Sequence, residues 1–271
     1  MLYSFLMIDF YKISVIRFAI KNDKRHEIKW DDFKVIAESN FQFHENYEVE
    51  FVEMSQQSKD VAYAQIAPCS NVFLASGNLV LATNDWDKFF VITRVPETLE
   101  IPLAYIFYTH AARRQMLQLH CATIDDQGRG VLFLGPSGIG KTTQAERWAE
   151  FRGASIINGD VGFVQRTERE YIAWGTPWHG SSPYCLNASV PVKALVVLKQ
   201  APENRLRELT GFEKVSEIAG SVFYPTWLED GMELCTDTLN HLLTDLPVYR
   251  LDNRADRESV EILAKELDRI T

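Results

Sequence analysis

Apolar positions in the first hundred residues follow the short, period-two spacing of strands. Residues 11–20 are rich in β-branched and aromatic types, and residues 47–54 alternate in part. Residues 72–75 and 79–82 flank Ser76-Gly77-Asn78, which punctuates a hairpin. Residues 89–93 predict a further strand, closed by Pro96. From Ile101 the spacing changes. Residues 103–115 read as a helix, with Ile106, Phe107 and Met116 at helical intervals. A strand over 117–124, the turn Asp125-Asp126-Gln127-Gly128 and a second strand over 130–134 follow. Residues 142–152 predict a helix with Ala145, Trp148 and Ala149 on one face and Gly153 as its stop. A short strand over 155–158 ends at Gly159-Asp160, and 192–198 reads as a buried strand. Leu239, Leu242, Leu243 and Leu246 mark a helix, residues 248–251 a strand, and Val260, Leu263, Leu267 and Ile270 a last helix. There is no internal repeat and no low-complexity segment.

Composition narrows the classes. With 271 residues, 46% of them hydrophobic and 24% charged, the chain can bury a core and is not a disordered protein, a collagen or a small disulfide scaffold. A net charge of -9 gives no support to nucleic acid or an anionic membrane as partner. Cys69, Cys121, Cys185 and Cys235 form no C-x-x-C pair, so reduced thiols and a cytoplasmic location are expected. The N-terminus lacks the basic and small-residue signatures of a signal peptide, and Asp9, Lys12 and Arg17 interrupt it. The longest uncharged window, residues 61–84, would place Gln65, Pro68, Ser70, Asn71 and Asn78 in hydrocarbon, which excludes it as a span.

The one strong motif is Gly135-Pro136-Ser137-Gly138-Ile139-Gly140-Lys141-Thr142, which matches G-x-x-x-x-G-K-[ST] between a predicted strand and a predicted helix. Glycines allow backbone N–H groups to turn inward onto phosphate oxygens, and the helix N-terminus adds partial positive charge. Lys141 is expected at the β- and γ-phosphates and Thr142 on Mg²⁺, with Thr143 completing the nucleotide site. ATP and Mg²⁺ are therefore the expected cofactors.

Residues 120–142 resemble the core of bacterial HPr kinase/phosphorylase, in which a histidine-bearing strand, a glycine turn and a second strand lead into the phosphate loop. The resemblance continues through Glu146, Phe151-Arg152-Gly153 and Ile156-Ile157-Asn158-Gly159-Asp160. It is similar, more distantly, to ATP-dependent phosphoenolpyruvate carboxykinase, which shares that fold. The family ends its following strand in two aspartates; here Gly159 stands at the first and only Asp160 is retained. The segment Gly175-Thr176-Pro177-Trp178-His179-Gly180-Ser181-Ser182 looks like the HPr-kinase-like proteins of peptide-tailoring clusters that make ribosomal (lasso-type) peptides. Some of those phosphorylate a serine of a precursor peptide.

The resemblance implies an α/β (α+β) fold: a mixed sheet with a phosphate loop and packed helices over 101–271, preceded by a β-rich accessory or substrate domain over 1–100. It implies catalytic roles for Asp160, His120 and Lys141, with Thr142 and Asp160 as metal ligands. Asp160 also reads as a strand-end turn aspartate, and His120 as an ordinary core histidine. His179 and Ser181 are candidates for gripping substrate, in a loop that reads almost equally as a plain turn. Arg113, Arg114, Arg205 and Arg207 read as exposed charges. The expected activity is transfer of the γ-phosphoryl group of ATP to a Ser or Thr hydroxyl on a precursor peptide or small protein. The alternatives are a kinase of a small hydroxylated metabolite such as free serine, and a non-catalytic ATP-binding switch. The resemblance leaves room for a homo-oligomer.

Overall fold

The computed structural model describes residues 7–22, 28–36, 47–53, 69–93 and 98–270. Its packing divides the chain into two units, Met1–His110 and Ala111–Thr271.

The first unit is a seven-stranded sheet of β1 (Met7–Ile13), β2 (Ile16–Asn22), β3 (Lys34–Val35), β4 (Tyr47–Glu53), β5 (Cys69–Ala75), β6 (Asn78–Thr83) and β7 (Lys88–Thr93), in the order β3-β1-β2-β4-β7-β6-β5. Residues 11–20 are not one strand. The chain reverses at Ser14 (φ 59°), and β1 and β2 pair antiparallel through Ile13 and Ile16. The β5–β6 hairpin turns at Ser76 and Gly77, both at positive φ, as a two-residue turn between twisted strands requires. Pro96 lies outside the described residues. Helix α1 (Glu100–Ala112) packs on this sheet through Phe107 against Phe18 and Tyr105 against Phe73. Met116 does not extend it: Gln115 takes φ 56° and Met116 opens the next strand.

The second unit is a nine-stranded mixed sheet of β8 (Met116–Asp125), β9 (Gly130–Leu134), β10 (Ser155–Asn158), β11 (Val161–Arg166), β12 (Tyr171–Trp174), β13 (Ser189–Gln200), β14 (Arg205–Leu209), β15 (Val222–Phe223) and β16 (Val248–Asn253). Its helices are α2 (Lys141–Arg152), α3 (Phe212–Ile218), α4 (Gly231–Asp245) and α5 (Arg257–Ile270). The strands β11, β12 and β14 were not legible in the pattern of apolar positions: β11 buries Gly162, Phe163 and Val164 in a row, β12 is four residues long, and in β14 Arg207 and Glu208 separate Leu206 from Leu209. Ala145 and Trp148 of α2, with Val260, Leu263 and Leu267 of α5, bury against Ala122, Ile124, Phe133, Val196 and Leu251 of the sheet. Leu246 lies just beyond α4, in extended backbone. All four cysteines are free thiols. Among the described residues no helix is long and apolar enough to cross a membrane.

Two long strands change partners midway. Residues 116–120 of β8 pair with β11, while 121–125 pair with β9 and 123–125 with β10. Likewise β13 is antiparallel to β12 over 189–191 and parallel to β9 and β16 beyond Val192. His120 and Cys121 sit at the changeover. β9 leaves opposite Cys121 at Leu134, and β11 begins opposite His120 at Val161. The glycine-rich turn after β9 and the Gly159-Asp160 step before β11 therefore leave the sheet beside the same two residues.

Candidate functional site

The strand, turn and helix anticipated around residues 130–152 are present. All five residues of β9 are buried, and α2 starts at Lys141. Between them Gly135, Gly138 and Gly140 take φ of 136°, 76° and 107°. A residue with a Cβ is strained in such backbone, so the turn depends on glycine. Pro136, Ser137 and Gly138 are exposed at its rim, and Thr143 faces solvent on the first turn of α2. Lys141 is only 6% exposed; its Nζ donates to the carbonyl oxygens of Gly135 (3.1 Å) and Pro136 (3.3 Å). An ammonium thus lies in the centre of the turn. Burial pushes its pKa below the ordinary lysine value, and the charges of Asp160 and Cys121 oppose that shift.

Thr142 Oγ1 donates to the carbonyl oxygen of Gly159 (3.1 Å), which ties the first turn of α2 to the step between β10 and β11. In that step Asn158 is fully buried, and its Oδ1 accepts the N–H groups of Asp160 (3.0 Å) and Val161 (2.9 Å). This local turn, an Asx type, fixes the Asp160 backbone. The Asp160 carbonyl oxygen accepts from Cys121 N–H. Its side chain, 31% exposed, places Oδ1 2.9 Å from His120 Nε2. Two residues far apart in sequence thus form one carboxylate–imidazole pair beside the lysine.

The loop after β12 covers this step. Asn158 Nδ2 donates to the carbonyls of Trp178 (2.8 Å) and Thr176 (3.3 Å); Gly159 N–H donates to Tyr184 O, and Leu186 N–H to Ile157 O. The contact is close enough to explain two glycines. A Cβ on Gly159 would lie 1.8 Å from Ser182 Oγ, so no aspartate fits there while the loop stays in place. A Cβ on Gly180 would lie 1.9 Å from Asp160 Oδ2. His179 Nδ1 bonds the Ser182 carbonyl oxygen of its own loop, while Ser181 is exposed. Tyr184 Oη donates to Glu146 Oε1 on α2 (3.1 Å), a bond that raises the phenol's pKa.

Lys141, Thr142, Asp160 and His120 are therefore brought together. His179 and Ser181 are near by sequence and loop geometry, with His179 engaged in shaping the turn. Arg207 pairs with Glu213, away from this cluster. Sequence reasoning passed over Asn158, whose role needs the loop to be seen, and Phe223, whose ring centroid is 6.3 Å from that of His120. The two-residue strand β15 that carries Phe223 is too short to show a period.

Comparison with known proteins adds three findings. A solved structure, the Hpr(Ser) kinase/phosphatase from Coxiella burnetii, matches 56% of this chain and 93% of its own at 14% identity and a TM-score of 0.32. That likeness is too slight to carry a fold or an activity across. No curated protein matches the sequence significantly. The family model described as SynChlorMet cassette protein ScmC matches residues 96–251, more than half of the chain.

Proposed function

The chain belongs to the family of SynChlorMet cassette protein ScmC, and from that premise we propose that it is an ATP- and Mg²⁺-dependent kinase acting on a Ser or Thr hydroxyl of a precursor peptide or small protein. One observation carries the reading: a buried lysine inside a glycine turn at a helix N-terminus lies beside a paired Asp160 carboxylate and His120 imidazole, 2.9 Å apart. A phosphate cradle alone would suit a switch. A carboxylate held at a fixed angle next to it gives an acceptor somewhere to leave its proton.

The residues fit the nucleotide and the cation. The turn over 135–140 exposes its rim and centres a cation, as a triphosphate requires. Among the described residues no group of three His, Cys, Asp or Glu side chains could hold a metal. Thr142 and Asp160 would hold Mg²⁺ only together with phosphate oxygens, which is how nucleotide-dependent sites use this ion. Bound ATP supplies the phosphoryl group and Mg²⁺ neutralises its charge. Lys141 offsets negative charge spread over the phosphoryl oxygens. His120 holds the Asp160 carboxylate in place through Nε2. Asp160 accepts the proton as the acceptor oxygen bonds to the γ-phosphorus and the bond to the β–γ bridging oxygen breaks, releasing ADP. Gly180, packed against Oδ2, limits how far the carboxylate can swing. Positioning and electrostatics do most of the work.

A homo-oligomer and a cytoplasmic location are part of the same proposal. It is tested by assaying label transfer from γ-labelled ATP to Ser/Thr peptides and to free serine, with Lys141→Ala alongside. Transfer to free serine alone would select the metabolite kinase instead. ATP binding without transfer to any acceptor would select the switch.

A further inference from the structure

Three side chains of the site, Lys141, Asp160 and His120, follow one another towards a fourth group, the ring of Phe223. Lys141 marks the phosphate end, and Asp160 and His120 the point of transfer. Beyond His120 comes an aromatic ring with no part in that chemistry. Phe223 is 47% exposed, a large apolar surface to leave in water beside a partly buried imidazole. Its position is set by register. In β15, Phe223 pairs with Gln118 of β8 and Val222 with Leu119. Antiparallel partners point to the same face, and so do residues two apart, so Phe223, Gln118 and His120 share one face. The 6.3 Å between the rings is the diagonal spacing expected of that pairing.

We propose that Phe223 is a specificity-determining residue of the acceptor site: its ring, on the face shared with His120, takes an apolar side chain of a polypeptide acceptor two residues from the hydroxyl that is phosphorylated. The inference rests on the kinase reading and names the substrate class of that same site. Two observations select a polypeptide. A free amino acid with its hydroxyl at Asp160 has no apolar group left to cover the ring. In an extended chain, residues two apart lie on one face about 6.6 Å from each other, so a chain with its hydroxyl at the Asp160–His120 pair can carry a second side chain over the ring that stands 6.3 Å from the imidazole. Among the described residues β15 pairs only with β8, so an extended segment can lie along it and bring its side chains over Phe223.

The test uses the full chain with ADP bound and three fluorescent nonapeptides with a central serine in an alanine background. One carries Phe two residues from the serine on both sides, one carries Phe at the adjacent positions, and one carries none. Binding and label transfer from ATP are measured for the wild type, Phe223→Ala and Phe223→Tyr. The wild type is expected to bind the first peptide at least fivefold more tightly than the other two. Phe223→Ala should abolish that preference and Phe223→Tyr retain it, with ADP affinity unchanged in both. Equal binding of all three peptides, no binding, or a preference that survives Phe223→Ala overturns the inference. A preference that depends on Phe223 with no transfer leaves the inference standing and removes the kinase reading. Transfer without preference does the reverse.

Discussion

At the scale of single residues, two side chains are separable. Lys141 is buried with its charge, and that burial lowers its pKa. The sign of the consequence follows from linkage. The unfolded chain binds the lysine proton more tightly than the folded one, so folding stability rises as pH rises through the lowered pKa towards the ordinary value. In the absence of nucleotide, the wild type should therefore gain thermal stability relative to Lys141→Met between pH 8 and pH 10. A stability difference that stays constant over that range would mean the ammonium is solvated. ATP binding by Lys141→Met should fall at least about 100-fold at pH 7.5, because the ammonium at the centre of the turn is lost. Asp160 acts at a different step. Asp160→Asn keeps the shape and loses the base, so kcat for phosphoryl transfer should fall about 10²- to 10⁴-fold while Mg²⁺-free nucleotide affinity changes little. The glycine turn was readable letter by letter, because a phosphate cradle needs those residue types in that order. The His120–Asp160 pair was readable only as two isolated candidates; their close contact arises from a change of strand partners at residue 120 that local pattern does not encode.

At the scale of elements, the loop over 175–188 is anchored by a single buried amide side chain. Asn158 is buried, donates twice into the loop and accepts two N–H groups of the Asp160 turn. Asn158→Ala removes those four hydrogen bonds from a buried site and should cost about 2–4 kcal/mol. For a chain of this size that lowers Tm by about 4–16 °C in calorimetry. Gly180→Ala tests the loop's contact with the carboxylate. The added methyl must displace either the loop or Asp160 from His120, so kcat should fall at least tenfold with little change in ATP affinity. Activity equal to wild type would show that the loop moves away during turnover. The strongly patterned elements, α2, β9, β13 and α5, were legible because each buries a continuous apolar face. Residues 11–20 misled as one strand because Ser14-Val15 turns without glycine or proline, Ser14 itself taking the positive φ. The hairpin of β11 and β12 was hidden for another reason: its tip, Thr167 to Glu170, is charged, and its two strands are only six and four residues long.

At the scale of the whole molecule, every contact that builds the site lies within Ala111–Thr271. That fragment should fold and bind ATP within a few-fold of the full chain, measured by titration calorimetry. A fragment that folds but loses nucleotide affinity would give residues 1–110 a part in the site. The glycine turn lies in the second of the two units. The pairings of β13 with β9 and β16, and of β15 with β8, are not legible in local pattern, since they join residues 53 to 105 positions apart. The central claim is that this second unit transfers phosphate and does not merely hold nucleotide. Its most direct test is a single assay: the full chain with Mg²⁺, γ-labelled ATP and serine-containing peptides, run beside Lys141→Ala and Asp160→Ala. Label on a peptide serine with the wild type, lost in both variants, is the predicted result. Label carried equally by Asp160→Ala, or ATP bound and left intact with every acceptor, would contradict it.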